Sequence, residues 1–312
     1  VKHLVNLGLG LLLMYIAHRM DYRLFARYSQ PLLFISIGLL AYLFFQGEEQ
    51  RIHGASRWIT LFGQSFQPSD LAKFSLMVFL AKALTLRQEA ITDFYRGFLP
   101  VISVVVLFCA LIAPFNLSTA LLLFVSSLLI MFIAGISLKH IGGLLLVGLV
   151  GVLFIIYGDV FDRSATWRGR IEDYTARMAS ADYEPNYQTV QANIAIANGG
   201  IIGKGAGKSM QRNYLPHPYS DFVYAIIIEE YGLLGGLAVL GLYILLLIRS
   251  VGIVTISKTF GALLAAGLSF LIVLQALINM GVTGGVLPVT GLPLPFISMG
   301  GTSILFTTLS LG

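Results

Sequence analysis

The sequence predicts an all-α polytopic membrane protein. Of its 312 residues, 57% are hydrophobic and only 11% are charged, whereas an average soluble domain is about 25% charged. Mean hydropathy is +0.84. Apolar runs near the length needed to cross a bilayer, about 20 residues, recur along the chain. In hydrocarbon every backbone polar group must be paired inside its own segment or in a closed barrel. The alternating pattern of barrel strands is absent, which leaves helices.

Nine apolar runs are candidate spans: residues 4–17, 31–45, 71–86, 98–113, 117–134, 141–157, 222–248, 260–280 and 297–311. The first short loops on one side hold Arg19, Arg23 and Arg27, then Lys82, Arg87 and Arg96; Lys139, Arg249 and Lys258 follow. The opposite short loops hold Arg51 and Arg57. By the positive-inside rule the first set is cytoplasmic. The chain then starts outside, which implies one further helix ahead of it. With Val at the start and an apolar run at the end, a single transmembrane domain over residues 1–312, trimmed at both ends, is expected. The net charge of +5 reads as topology and not as nucleic-acid binding. Cys109 is the sole cysteine, so there is no disulfide framework.

Residues 158–221 form a large extracytoplasmic loop in this topology, and from Trp167 to Asp221 they are polar, aromatic and glycine-rich. Arg163, Arg168, Arg170, Arg177, Lys204, Lys208 and Arg212 leave its surface cationic. An anionic ligand is one reason for that surface; anionic lipid headgroups are the other. GGIIGKGAGKS at 199–209 is not a Walker A loop, because Ile202 stands where the first glycine belongs. Its backbone amides could still cradle an anion, with Lys204 and Lys208 beside them. A plain re-entrant turn fits equally.

Two other segments carry candidate chemistry. In the outer loop at 46–70, Trp58 beside Arg57 suits the membrane interface. PSD at 68–70 reads as a helix start capped by Ser69 or Asp70. Lys73 in the first turn opposes the helix dipole; it requires an anionic partner or ligand, unless it snorkels to the headgroups. Asp221 opens the seventh run, and Glu229 and Glu230 follow within it. Carboxylates inside a span are costly and tend to be functional. The helical period lets Asp221 and Glu229 border one cavity; an internal ion pair of the glutamates with Lys73 or Arg57 is the alternative. The Gly- and Pro-dense stretch at 281–303 cannot be helical throughout, and irregular backbone at membrane depth must be covered by protein or line a cavity. His3, His18, His53, His140 and His217 are scattered, so no metal cluster is indicated.

GASRWI at 54–59, QPSDLAK at 67–73, GGIIGKGAGKS at 199–209, LPHPYSDFVYAIIIEEYG at 215–232 and PVTGLPLPFISMGG at 288–301, in this order, resemble the motifs of the SEDS family (shape, elongation, division and sporulation). YEPNYQTVQANIAIANGG, ending at Gly200, is nearer to the family's division member. The resemblance covers nearly the whole chain and implies a SEDS-type bundle of ten transmembrane helices, about nine of them present here. It implies a peptidoglycan glycosyltransferase that polymerises lipid II at the outer face of the bacterial cytoplasmic membrane for septal wall synthesis. It further implies a class B penicillin-binding protein and other divisome or cell-wall membrane proteins as partners.

On this resemblance the essential aspartate falls on Asp221, as the catalytic residue. Arg57, Lys73, Lys204, Lys208, Glu229, Glu230 and Ser298 are the substrate-binding candidates. No particular cofactor is indicated, and a requirement for a divalent cation such as Mg2+ or Mn2+ is left open. Departures from the family pattern are Asp70 for a glutamate, His217 for another, Asn116 for an aspartate, Met299 for a tyrosine and Thr302 for a serine. Two readings of other classes compete: a lipid II flippase, suited by intramembrane charge and broken helices, and a non-catalytic scaffold.

Overall fold

The structure is a computed structural model and describes residues 2–45, 58–61, 64–161, 163–179, 186–215, 219–256, 259–299 and 301–312. Each of the nine apolar runs coincides with an α-helix: α1 Lys2–Arg19, α2 Arg23–Phe44, α3 Pro68–Leu86, α4 Leu99–Ile112, α5 Leu117–Ala134 and α6 Leu138–Tyr157, then α9 Val223–Ile256, α10 Phe260–Thr283 and α11 Gly301–Leu311. The polar island supplies two more, α7 Ser164–Ala179 and α8 Tyr187–Gly199. Among the described residues, six helices are long and apolar enough to cross a membrane. α6 leaves Leu146, Val147, Leu149, Val150 and Phe154 exposed, an apolar face suited to lipid. The chain is a multi-pass membrane protein. A short antiparallel hairpin, β1 Ile59–Leu61 with β2 Gln64–Phe66, departs from the all-helical expectation; its three-residue strands are too short to leave an alternation in the sequence.

The chain divides into two compact units. The first comprises Val1–Gly148, Leu247–Ile272 and Gly301–Gly312. In it α3 is the most enclosed helix, with Leu76, Met77, Leu80 and Leu84 fully buried. Ser36 of α2 donates to the Ser75 hydroxyl of α3 at 2.8 Å, a polar link of the kind that joins helices where hydrophobic driving force is weak. Pro68 is at the first position of α3, which needs no N–H there. Gln67 occupies the cap position but caps no backbone N–H; its amide donates to the Ser69 hydroxyl at 2.8 Å instead. Ser69 and Asp70 therefore do not cap the helix as expected; they lie inside its first turn, where the Asp70 charge complements the dipole. Asn116 caps α5 by accepting from Thr119 N at 3.2 Å, so the amide at this position serves as a helix cap. Gly135, at φ 101°, ends that helix.

The second unit comprises Leu149–Leu246 and Val273–Gly300. Ala192 and Ala195 of α8 pack with Leu215, Phe222, Ala225 and Ile226, which seats the island on the first turn of α9. The main irregularity lies within α9 itself. Gly232 takes φ 70°, ψ −174° and breaks the helical path. Four backbone groups lose their helical partners there, and the glycine-rich segment after α8 replaces each one. Lys204 N donates to Glu229 O at 3.0 Å and Gly205 N to Glu230 O at 2.8 Å; Leu233 N donates to Gly200 O at 2.9 Å and Leu234 N to Ile201 O at 3.2 Å. A Cβ at Gly232 would collide with the Ile201 carbonyl, and one at Gly203, φ +87°, with the Glu230 carbonyl.

Gly232→Ala and Gly203→Ala should each destabilise the protein by about 2 kcal/mol or more, as expected for a side chain forced into a left-handed conformation against backbone. Gly241→Ala in the same helix, where a Cβ meets open space, should be neutral or stabilising by up to about 1 kcal/mol. Thermal unfolding of the three variants in one detergent checks the contrast.

Candidate active site

Asp221 lies in the turn that precedes α9, half-buried. Ser220 donates its hydroxyl to Asp221 Oδ1 at 2.8 Å. The backbone on which Asp221 rides is tied from three sides: Asn279 of α10 donates its amide to the Asp221 carbonyl at 2.8 Å, Ser298 donates to the Ser220 carbonyl at 2.6 Å, and Met299 N donates to the Tyr219 carbonyl at 2.7 Å. Ser298 is 2% exposed and accepts from Leu294 N at 2.8 Å. It thus positions the aspartate and has no open face for a substrate. Asn279, which the sequence reading did not single out, does the same from a second helix.

The segment after α10 is irregular, as its glycines and prolines predicted, and side chains satisfy its backbone. Gln275 donates to Pro293 O at 2.8 Å, Asn279 also donates to Leu292 O at 2.8 Å, and Tyr243 donates to Pro295 O. Gly291, at φ +71°, brings this segment beside the aspartate: a Cβ there would lie 3.5 Å from Asp221 Oδ2. One residue earlier, the Thr290 carbonyl accepts from Arg170 of α7 at 3.4 Å. Burial pushes the Arg170 guanidinium below its ordinary pKa, and the Asp221 charge opposes that fall. Arg163 is lowered too, first by burial and then by the like charge of Arg170. Arg170 is thus the guanidinium that the Asp221 charge reaches, and it bonds to the stretch of backbone that also brings Gly291 beside that carboxylate.

Arg170 was counted among the island's cations but not singled out as a site residue. The signal was available: Arg163, Arg170 and Arg177 are seven residues apart, two helical turns, which returns them to one face. Arg168 falls off that face and pairs with Asp159.

The glycine-rich loop does cradle an anion, and the anion belongs to the chain. Glu229 is fully buried. Its carboxylate accepts from Lys204 Nζ at 3.0 Å, Ser209 Oγ at 2.5 Å, Met210 N at 3.3 Å and Gln211 N at 3.2 Å. Glu230 accepts from Ser209 N at 3.4 Å. The expected ion pair of Glu229 therefore exists, with Lys204 in place of Lys73 or Arg57. Glu229 and Lys204 serve this loop instead of bordering an open cavity with Asp221. Lys208 is exposed.

In the first unit, Lys73 finds the anionic partner expected of it: Asp70 Oδ1 at 2.8 Å, with both side chains buried. Arg57 and His217 lie outside the described residues. Among the described residues no group of three or more His, Cys, Asp or Glu side chains converges. The protein groups at Asp221 do not fit a site built for a divalent cation, which takes several oxygen ligands, and no step is assigned to one.

Comparison with known proteins places this geometry. The family described as cell cycle protein, which groups FtsW, RodA and SpoVE, matches residues 1–312. The chain is 34% identical over 314 residues to the probable peptidoglycan glycosyltransferase FtsW of Geobacter metallireducens, covering 97% of this chain and 80% of that protein. It is 33% identical over 315 residues to stage V sporulation protein E of Bacillus subtilis, covering 100% of this chain and 84% of that protein. Among solved structures, a chain of a peptidoglycan synthase complex that coordinates polymerization and crosslinking superposes with a TM-score of 0.77 at 28% identity, covering 99% of this chain and 86% of that one. The rod shape determining protein RodA of Thermus thermophilus gives 0.69 at 27% identity, covering 99% and 84%. The chain belongs to the FtsW/RodA/SpoVE family of multi-pass membrane proteins, the SEDS family.

Glu229→Ala would leave Lys204 and three further donors without their acceptor. It should cost about 3–5 kcal/mol, the range for removing one member of a buried charge pair. Lys208→Ala should stay within about 0.5 kcal/mol, as an exposed substitution does. Thermal melts of both variants against the parent test the internal-anion assignment.

Proposed function

We propose that this protein is a peptidoglycan glycosyltransferase that polymerises lipid II at the outer face of the cytoplasmic membrane, for septal wall synthesis. The observation that carries the reading is the strapped Asp221, held on three backbone bonds with Arg170 beside it, in a chain related along its full length to proteins named as peptidoglycan glycosyltransferases.

Asp221 acts as general base. It takes the proton of the acceptor sugar hydroxyl as that oxygen attacks the anomeric carbon of the donor. The new C–O bond forms as the bond from that carbon to the lipid pyrophosphate breaks, and the configuration inverts. The departing pyrophosphate gains negative charge, which the Arg170 guanidinium beside Asp221 stabilises electrostatically. The three straps on residues 219–221 hold the base in place, so that no reorganisation is needed during reaction.

The relation to a chain from a synthase complex supports a penicillin-binding protein as partner. The flippase reading is weaker, because the intramembrane carboxylate that suggested it, Glu229, is already saturated by Lys204, Ser209 and two amides.

Asp221→Ala should lower glycan synthesis from purified lipid II by at least about a hundredfold, the scale of a lost general base, with an unchanged melting temperature. Gel analysis of the polymer reads this out. Near-parental product from a folded Asp221→Ala variant would remove the aspartate from the mechanism. Asn279→Ala, which touches no reacting group, should reduce kcat more than it raises KM; steady-state kinetics on lipid II distinguish the two.

A further inference from the structure

Arg170 has a second surroundings besides Asp221. In the same unit, a cavity of about 120 Å3 opens between α7, the start of α8 and the segment after α10. Its volume is roughly ten times what admits a single water, so it accommodates a chemical group of residue size. Arg170, Tyr174 and Arg177 line it from α7, and Gln188 and Thr189 from α8; Pro288 and its neighbours give it an apolar side. Asp173 is also at its margin, which leaves the two arginines one positive charge in excess.

The cavity walls are held by bonds that span from α7 to the segment after α10. Tyr174 donates its hydroxyl to Val286 O at 2.7 Å. Arg177 donates through Nη2 to Gly285 O. Gly285, at φ +74°, lets the guanidinium lie against it, since a Cβ there would collide with Nη2. Arg170 is tied to Thr290 O at 3.4 Å. Each arginine ties to the wall through one bond and carries five N–H donors in a fixed fork. That geometry suits a carboxylate, which a guanidinium can bind through two parallel bonds. The glutamine amide, the threonine hydroxyl and the apolar wall suit the rest of an amino-acid residue.

We propose that this cavity is a subsite for the stem peptide of the substrate, with Arg177 and Arg170 receiving a peptide carboxylate. The assignment rests on the glycosyltransferase reading above. Arg170 links the two sites: it faces the cavity on one side and the charge of Asp221 on the other. A peptide carboxylate seated on the arginines therefore fixes the sugar that carries it at a set distance from the base. Arg177 is a binding residue here and has no part in the chemical step.

The test compares two substrates in the full-length protein: lipid II with its pentapeptide, and the same lipid-linked disaccharide with the peptide carboxylates converted to amides. Arg177→Ala should raise KM for ordinary lipid II about tenfold or more, the scale of a lost charge-assisted bond. It should change kcat less than about twofold and leave KM for the amidated substrate near the parental value. Equal losses on both substrates, or no loss on either, would overturn the subsite. So would a parental enzyme that binds the amidated substrate as tightly as lipid II. If Arg177→Ala does not fold, Arg177→Lys, which keeps the charge but not the two-bond fork, should raise KM for lipid II and leave it near parental for the amidated substrate, and equal effects on both overturn the proposal. A parental protein that makes no polymer from either substrate would instead defeat the glycosyltransferase reading itself.

Discussion

The second unit depends on one exchange of hydrogen bonds, the one that repairs α9 where Gly232 breaks it. A spanning helix cannot leave backbone groups unpaired in hydrocarbon. The glycine-rich segment supplies two donors and two acceptors to the four groups set free, and the Glu229 carboxylate draws the rest of that segment in behind them. Because α8 ends in this segment, the repair also fixes where the island helices sit relative to the start of α9. Glycine is required at Gly199, Gly203 and Gly232 because backbone meets backbone there without room for a Cβ.

The same economy governs the approach to Asp221. The irregular run after α10 has few backbone partners of its own, so side chains from neighbouring helices take its carbonyls: Gln275, Asn279 and Tyr243 each donate to one. Asn279 then uses its second N–H on the carbonyl of Asp221. A single amide thus couples the shape of the irregular run to the position of Asp221. Phe296, with φ 65°, holds a left-handed conformation that is strained for an aromatic residue. It lies two residues before Ser298, whose hydroxyl completes the strap.

Much of the architecture was legible in the sequence, because hydrophobic runs of spanning length have only one common solution. The nine apolar helices followed from that alone. Helices α7 and α8 did not: α7 is largely polar and α8 is short, and such helices are set by packing against neighbours, here the segment after α10 for α7 and the first turn of α9 for α8. Lys73 was read correctly as needing a local anion, since a cation in a first turn stands against the dipole. Lys204 and Glu229 were misassigned to substrate because their pairing crosses 25 residues of chain, and no local rule reports it. The cap of α3 was misread for a subtler reason. Proline at the first helical position puts the cap at Gln67, two residues before Ser69, which converts the expected caps, Ser69 and Asp70, into first-turn residues.

The burial of Glu229 in a glycine-rich cradle has a consequence for specificity. The loop resembles in composition those that hold phosphate, and its amides are competent for such a ligand. Its occupant, however, is tethered to the same chain, and intramolecular attachment gives a ligand an effective concentration in the millimolar range or above. A free phosphate or nucleotide must compete with a group that never diffuses away. The most phosphate-like motif in the sequence thereby holds an anion of its own chain, against which any soluble anion competes.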